Sequence, residues 1–302
     1  MNNVIFDMET GDPDDIITLL MLLANPNVNL IAVTCYQGSP LQIGLIQYVL
    51  SNAGRDIPVA GWNTLEPSEI SSYYTKLIGS WESKKSKLTP VDLFLEYLTP
   101  DTTILTGAPL TNLGVLLTKH PNFKISKVVA QGGYLGNVVS KENQLDKFKN
   151  RKEIQTYNLS LDPQAFDIVN NSSSIAELNF VTKDLCHGFI YTKDIHNSIN
   201  FKDDANSSIL EKALGHYAEN NKRKAMHDPL AMLYMLYPEI GHKKPISMSY
   251  RKEDDKVLFS SVEDFNITNK YGLVEYDKEQ AWEKFIHICS NQFENKIKNQ
   301  FR

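Results

Sequence analysis

The sequence predicts an α/β fold. The expected core is an open, mostly parallel, Rossmann-like sheet with helices on both faces and a short C-terminal β/α addition. Three observations carry this. Apolar runs alternate with helix-like patterns through the first 135 residues, the spacing of strand–helix–strand units. The runs lack polar alternation, as strands buried on both faces do. Several stop at small or polar residues, at Asp7, Thr34 to Gly38, Thr106-Gly107 and Gly132-Gly133. Ligands of open parallel sheets bind beyond such strand ends.

The elements follow in order. Val4-Ile5-Phe6 is the first strand, and Ile16 to Leu23 carries the apolar face of the first helix. Residues 29–34 read as a strand, 41–53 as a helix and 57–60 as a short strand. Residues 90–98 form a helix with Pro90 in its first turn. A strand at 102–105, a helix at 110–119 and a strand at 127–130 complete the alternation. The stretch 62–89 has no clean period. Residues 138–155, rich in Lys, Asn and Gln, predict a polar surface insertion or mobile loop within one domain spanning 1–302. A turn at 170–174, a broken amphipathic helix at 194–223, short β structure after Pro238 and a helix at 278–296 close the chain.

Composition excludes several classes. A 42% hydrophobic content supports a sizeable core. The net charge of -5 argues against non-specific nucleic-acid binding, and the basic tail at Lys296, Lys298 and Arg302 is too short to reverse that. Cys35, Cys186 and Cys289 are odd in number and widely spaced. They predict reduced thiols and a cytoplasmic location, not a disulfide framework or a zinc site. No run reaches the ~18 apolar residues of a membrane span, and none resembles a signal peptide.

The opening segment carries the chemistry. Asp7, Glu9, Asp12, Asp14 and Asp15 place five carboxylates within nine residues of a strand end. Gly11 and Pro13 turn the chain there. Like charges so placed need a positive partner, and no Lys or Arg is near in sequence; a hard cation such as Ca²⁺ is the leading candidate. Helix capping accounts for Asp14 and Asp15 at most. A second acid, Asp228, sits in His227-Asp228-Pro229. There it is an N-cap or a metal ligand, with His227 beside it as a proton donor. Thr106 to Asn112 and Gly132 to Asn137 are glycine-containing strand exits that admit a ligand to the backbone. Asn137 and Asn158 are suited to sugar hydroxyls or to turns.

These pieces together resemble the calcium-dependent, inosine–uridine-preferring nucleoside hydrolases. The resemblance runs from Asp7 to about Ala231. It rests on the acid cluster, Thr106 to Asn112, Gly132-Gly133 with Gly136-Asn137, Tyr157 to Ala165, Lys183 to His187, and His227 to Ala231. It implies a divergent N-ribosyl hydrolase of purine and pyrimidine salvage, acting through a Ca²⁺-bound water and an oxocarbenium-like transition state. Ca²⁺ would be held by Glu9, Asp15, the Thr106 carbonyl and Asp228. Catalysis would fall to Glu9, Asp14 and His227, with Asp12 a rival to Glu9. Substrate contacts would come from Asp14, Ser39, Asn137, Thr156, Asn158, His227 and Asp228. Ser39 and Thr156 stand where the family has Asn and Glu, and the family's His-Gly-x-x-Gly loop is missing near 62–87. An ordinary ribonucleoside is the default substrate, and a modified one such as queuosine would suit a remodelled base loop. A homo-oligomer, dimer or tetramer, is implied, with no nucleic-acid or membrane partner. The alternatives are a non-catalytic nucleoside or ribose binder and a haloacid dehalogenase-type phosphatase reading Asp7 to Thr10.

Overall fold

The computed structural model describes residues 1–65, 69–203, 205–219 and 223–291. The first half runs β1 (Asn2–Met8), α1 (Asp14–Ala24), β2 (Val28–Cys35), α2 (Pro40–Asn52), β3 (Val59–Ala60), α3 (Ser72–Ile78), α4 (Pro90–Tyr97), β4 (Thr102–Thr106), α5 (Thr111–Lys119) and β5 (Ile125–Gln131). The second continues with β6 (Ile154–Gln155), α6 (Tyr157–Leu161), α7 (Pro163–Asn170), β7 (Ile175–Val181), α8 (Lys183–Cys186), β8 (Ile190–Tyr191), α9 (Lys193–Asn197) and α10 (Ala205–Ala218). It ends with β9 (Lys224–Ala225), α11 (His227–Leu236), β10 (Gly241–Glu253), β11 (Lys256–Glu263), β12 (Lys270–Tyr276) and α12 (Lys278–Cys289).

Ten strands form one sheet in the order β3-β2-β1-β4-β5-β7-β12-β10-β11-β6. From β3 to β12 every pairing is parallel. Beyond β12 every pairing is antiparallel. The chain grows one way from β1 through β2 and β3, then returns to the other side of β1 with β4. The gap between β1 and β4 is thus the switch point at which a ligand is expected beyond the strand ends. Helices α1, α10, α11 and α12 pack as one group, and α4, α5 and α7 as another, covering the two faces.

The C-terminal β structure differs from the short addition the sequence suggested. β10 alone is 13 residues long, and β12 lies beside β7 as a parallel strand. Sequence alternation does not reveal that such strands join a distant sheet. The polar stretch after Gly136 is held to the body by one aromatic. Phe148 is buried against Tyr134 and His187, and the Tyr134 hydroxyl donates to the Arg151 carbonyl at 2.9 Å. The predicted terminal helix ends at Cys289 as α12; the remainder, with Lys296, Lys298 and Arg302, lies outside the described residues.

A buried carboxylate fastens the switch point. Asp7 ends the buried part of β1 and accepts from Thr34 Oγ1 on β2 at 2.7 Å, Thr106 Oγ1 on β4 at 3.1 Å and Asn112 Nδ2 on α5 at 2.8 Å. Burial pushes its pKa up to about 6 against those three hydrogen bonds. Asn112 also accepts from Trp62 Nε1 at 2.7 Å, tying in the aperiodic stretch. Truncating Asn112 to alanine removes one of the three donors to buried Asp7 and leaves the Trp62 indole N–H without its acceptor. The variant should lose about 3 kcal/mol of stability in a denaturant titration.

Candidate active site

The chain between β1 and α1 carries the acids because no regular structure intervenes and two helix starts meet there. α1 begins at Asp14 directly after Pro13, with no side-chain cap of its own. α11 begins at His227 and its preceding residue Met226 offers no cap either. Asp14 fills that role from the other helix: its Oδ2 accepts the amides of His227 at 3.1 Å and Asp228 at 3.4 Å. Asp15 Oδ1 accepts the Glu9 amide at 2.9 Å. The positive ends of two helices thus face one acidic cluster.

Asp14, Asp15 and Asp228 are all buried, and their carboxylate oxygens lie within 4.8 Å of one another. Burial, then repulsion from Asp228, Glu9 and Asp14, drives the Asp15 carboxyl well above the usual range. Burial, then Asp14, Glu9 and Asp12, does the same to Asp228. Burial opposes ionisation of Asp14 too, but Lys224 and His227 outweigh it and hold its carboxyl well below that range. Lys224 Nζ lies 3.4 Å from Asp14 and pairs directly with Asp12. His227 Nδ1 lies 3.6 Å from Asp14. One lysine does not balance Glu9, Asp12, Asp14, Asp15 and Asp228. The donor set is hard oxygen and net negative, which fits a divalent cation such as Ca²⁺. At Gly107 a Cβ would fall 2.6 Å from the Asp228 carboxylate, so only glycine admits the acid at the β4 exit.

Glu9 lies beside this trio. Its carboxylate turns back onto the amides of Gly11 and Asp12. Burial first, then Asp14 and Asp12, raises its pKa to about 7 despite those amides. The sequence reading put Glu9 among the metal ligands and Asp14 on the sugar. The structure places Asp14 in the compact trio instead, because the longer Glu9 side chain folds onto its own loop.

These residues line a cavity of about 510 Å³, together with Gln131, Thr156, Tyr157, Asn158, Lys183 and His187. Asn158 Nδ2 donates to the Gly107 carbonyl at 2.8 Å and to Gln131 Oε1 at 2.9 Å. The Thr156 hydroxyl is buried with no hydrogen-bond partner. Thr106 ends β4 one residue short of the wall, its hydroxyl turned to Asp7. Ser39 and Asn137 are not among the lining residues. Ser39 is spent in the capping box of α2 with Gln42, and Asn137 stands exposed on a short turn. The aromatics of 62–87 do not line the cavity either: Tyr74 bonds the Asp12 carbonyl at 2.8 Å, and Trp81 the Leu41 carbonyl at 2.8 Å. Lys224, Gln131, Glu69, Lys183 and His187 were not singled out as site residues from sequence. Gln131 had a signal, sitting directly before the Gly132-Gly133 exit. Glu69, in an aperiodic stretch, had none.

The profile of the inosine-uridine preferring nucleoside hydrolases matches residues 4–284. The chain belongs to that family. It is an N-ribosyl hydrolase, and its acidic cluster occupies the strand ends at the sheet's switch point. Among relatives, an uncharacterized protein of Aquifex aeolicus is 26% identical over 276 residues, covering 86% of this chain and 91% of its own. A pyrimidine-specific ribonucleoside hydrolase of Citrobacter koseri is 27% identical over 270 residues, covering 78% and 80%. Among solved structures, a plant nucleoside hydrolase superposes with a TM-score of 0.73 at 18% identity, over 96% of this chain and 99% of that one. The inosine-uridine preferring nucleoside hydrolase of Bacillus anthracis gives 0.71 at 16%, over 96% and 99%. No helix among the described residues is long and apolar enough to cross a membrane.

The electrostatics predict a pH-dependent stability. Asp7 and Glu9 titrate higher in the folded than in the unfolded chain. The stability this gives is complete below about pH 4 and is lost as pH rises through about 6 to 7. Asp14 is shifted the other way, so its contribution is complete above about pH 4 and constant across this window. The chelated hydrolase should therefore melt at lower temperature at pH 8 than at pH 5. Calcium should reduce that difference by replacing the protons. In chelator Asp228→Asn should melt about 2 °C or more above wild type and show no calcium-dependent rise in calorimetry.

Proposed function

We propose that this hydrolase cleaves the N-glycosidic bond of ribonucleosides with a Ca²⁺ ion held by Asp14, Asp15 and Asp228. Glu9 and the Thr106 carbonyl would supply further oxygens. The observation that carries the reading is three buried carboxylates, mutually within 4.8 Å, facing a cavity at the switch point of the sheet. When bound, the ion supplies a grip on the ribose 2′,3′-diol and a lowered pKa for its water.

The chain's own residues divide the remaining work. Glu9 accepts a proton from the attacking water as oxygen adds to C1′. Asp14, kept ionised by Lys224, faces the ribose and stabilises positive charge developing on the ring. Asn158 is held rigid by Gly107 and Gln131, which presents its free carbonyl edge to the sugar. The departing base takes the electron pair of the C–N bond and a proton from His227. Tyr157, half exposed at the cavity edge, offers an aromatic face for that base. The three buried free cysteines support a reducing, cytoplasmic setting.

Base release from a panel of purine, pyrimidine and modified nucleosides, queuosine included, tests this. Release should vanish with a calcium chelator and return with calcium. Asp15→Ala and Asp228→Ala should lose more than the about 100-fold that removing an outer-shell metal partner costs. His227→Ala should lose about 10²–10⁴-fold in kcat, with activity surviving. Calcium and nucleoside binding with no release from any substrate would instead mark a binder without turnover.

A further inference from the structure

Acidic and basic groups both line the cavity, and the catalytic reading leaves Lys183, His187 and Thr156 unused. Glu9, Asp12, Asp14, Asp15, Asp228 and Glu69 are its acidic lining. From Asp14 a row of bases leads away. His227 Nδ1 is 3.6 Å from Asp14, the His187 ring is 5.2 Å from the His227 ring, and Lys147 Nζ touches His187 Nδ1. Lys183, also in the cavity wall, reaches the Gln155 carbonyl at 3.1 Å. Gln155 precedes Thr156, whose buried hydroxyl has no partner. Among the described residues no carboxylate lies within ion-pair distance of Lys183. Its neighbour Asp184 is turned to the amides of Leu135 and Gly136 and to the Thr182 hydroxyl.

We propose that Lys183 and Thr156, with Lys147 behind His187, form an anion subsite, so that the substrate is a ribonucleoside bearing a negatively charged group. This deepens, and rests on, the hydrolase reading. A half-buried ammonium facing a cavity without a counter-ion is a costly arrangement that a bound anion relieves. An orphaned hydroxyl beside it donates to the same anion. Burial and the bases His227, Lys147, Lys183 and Lys224 pull the His187 pKa down to about 3, so His187 joins as a neutral donor or acceptor. With the ribose diol held at the acid trio, the negatively charged groups a nucleoside can offer are a phosphate on O5′ or an acidic substituent on the base. The Lys183 ammonium and the Thr156 hydroxyl in the wall, with the Lys147 charge behind His187, suit a phosphate monoester or a carboxylate.

The test is base release by the calcium-loaded enzyme from three matched substrates: uridine, uridine 5′-monophosphate and orotidine, whose base carries a carboxylate. The expected result is a kcat/KM for one anionic substrate at least tenfold above that for uridine. Preference for the monophosphate places the anion on O5′, and preference for orotidine places it on the base. Lys183→Ala should reduce kcat/KM for the preferred anion about tenfold more than for uridine, the scale of one lost charge-assisted hydrogen bond. Lys183→Arg should keep the preference, and Thr156→Val should weaken it. Uridine cleaved in preference to both anions, or a Lys183→Ala loss equal for charged and uncharged substrates, would overturn the subsite and leave the hydrolase intact. No release from any of the three, nor from inosine or cytidine, would overturn the hydrolase reading beneath it.

Discussion

Everything at this site follows from the cost of burying like charges. Asp14, Asp15 and Asp228 sit within 4.8 Å of one another in a setting where each alone resists ionisation. Two helix starts and one lysine reduce the repulsion without cancelling it. A dication is the group that would relieve such a defect with the fewest atoms. The site is therefore a stability liability until it is filled, the usual relation between function and local strain.

The rest of the architecture serves to hold that defect in place. Asp14 and Asp15 come from the beginning of the chain and Asp228 from more than two hundred residues later. Their meeting depends on α1 packing against α11. Asp14 closes the arrangement by capping α11 across the gap, so a ligand-facing side chain is also a structural one. Below it Asp7, sealed from the cavity, ties β2, β4 and α5 to one point on β1. Two neighbouring carboxylates on one strand exit thus have opposite fates. Asp7 turns into the sheet as its fastener, and Glu9, two residues on, lies over the cavity.

The alternation of β1 to β5 was legible because fully buried strands and their covering helices leave uninterrupted apolar runs. The cluster of acids was legible for the converse reason, since nothing but chemistry accounts for so many carboxylates at a strand end. The long C-terminal strands were not, because pairing partners far apart in sequence leave no local trace. Ser39 illustrates a different limit. A polar residue after a strand reads alike whether it faces a ligand or caps the next helix, and the capping box with Gln42 decided for the helix. Lys224 was missed because its partners, Asp12 and Asp14, lie at the other end of the chain. The apparent lack of a cation near the acids held in sequence and failed in space.

That lysine also explains why Asp12 and Asp14 are not equivalent to the trio's other members. Lys224 pairs with both, and Asp14 alone among the cluster is pulled toward ionisation, while Asp15 and Asp228 are pushed from it. The cluster is therefore graded. Its edge carries fixed negative charge beside Lys224 and His227, and its centre holds carboxylates whose ionisation burial and mutual repulsion oppose. In space His187 neighbours His227, and His227 neighbours Asp14 at the cluster's edge. Lys224 thus stands at the boundary between the structural network and the acid cluster.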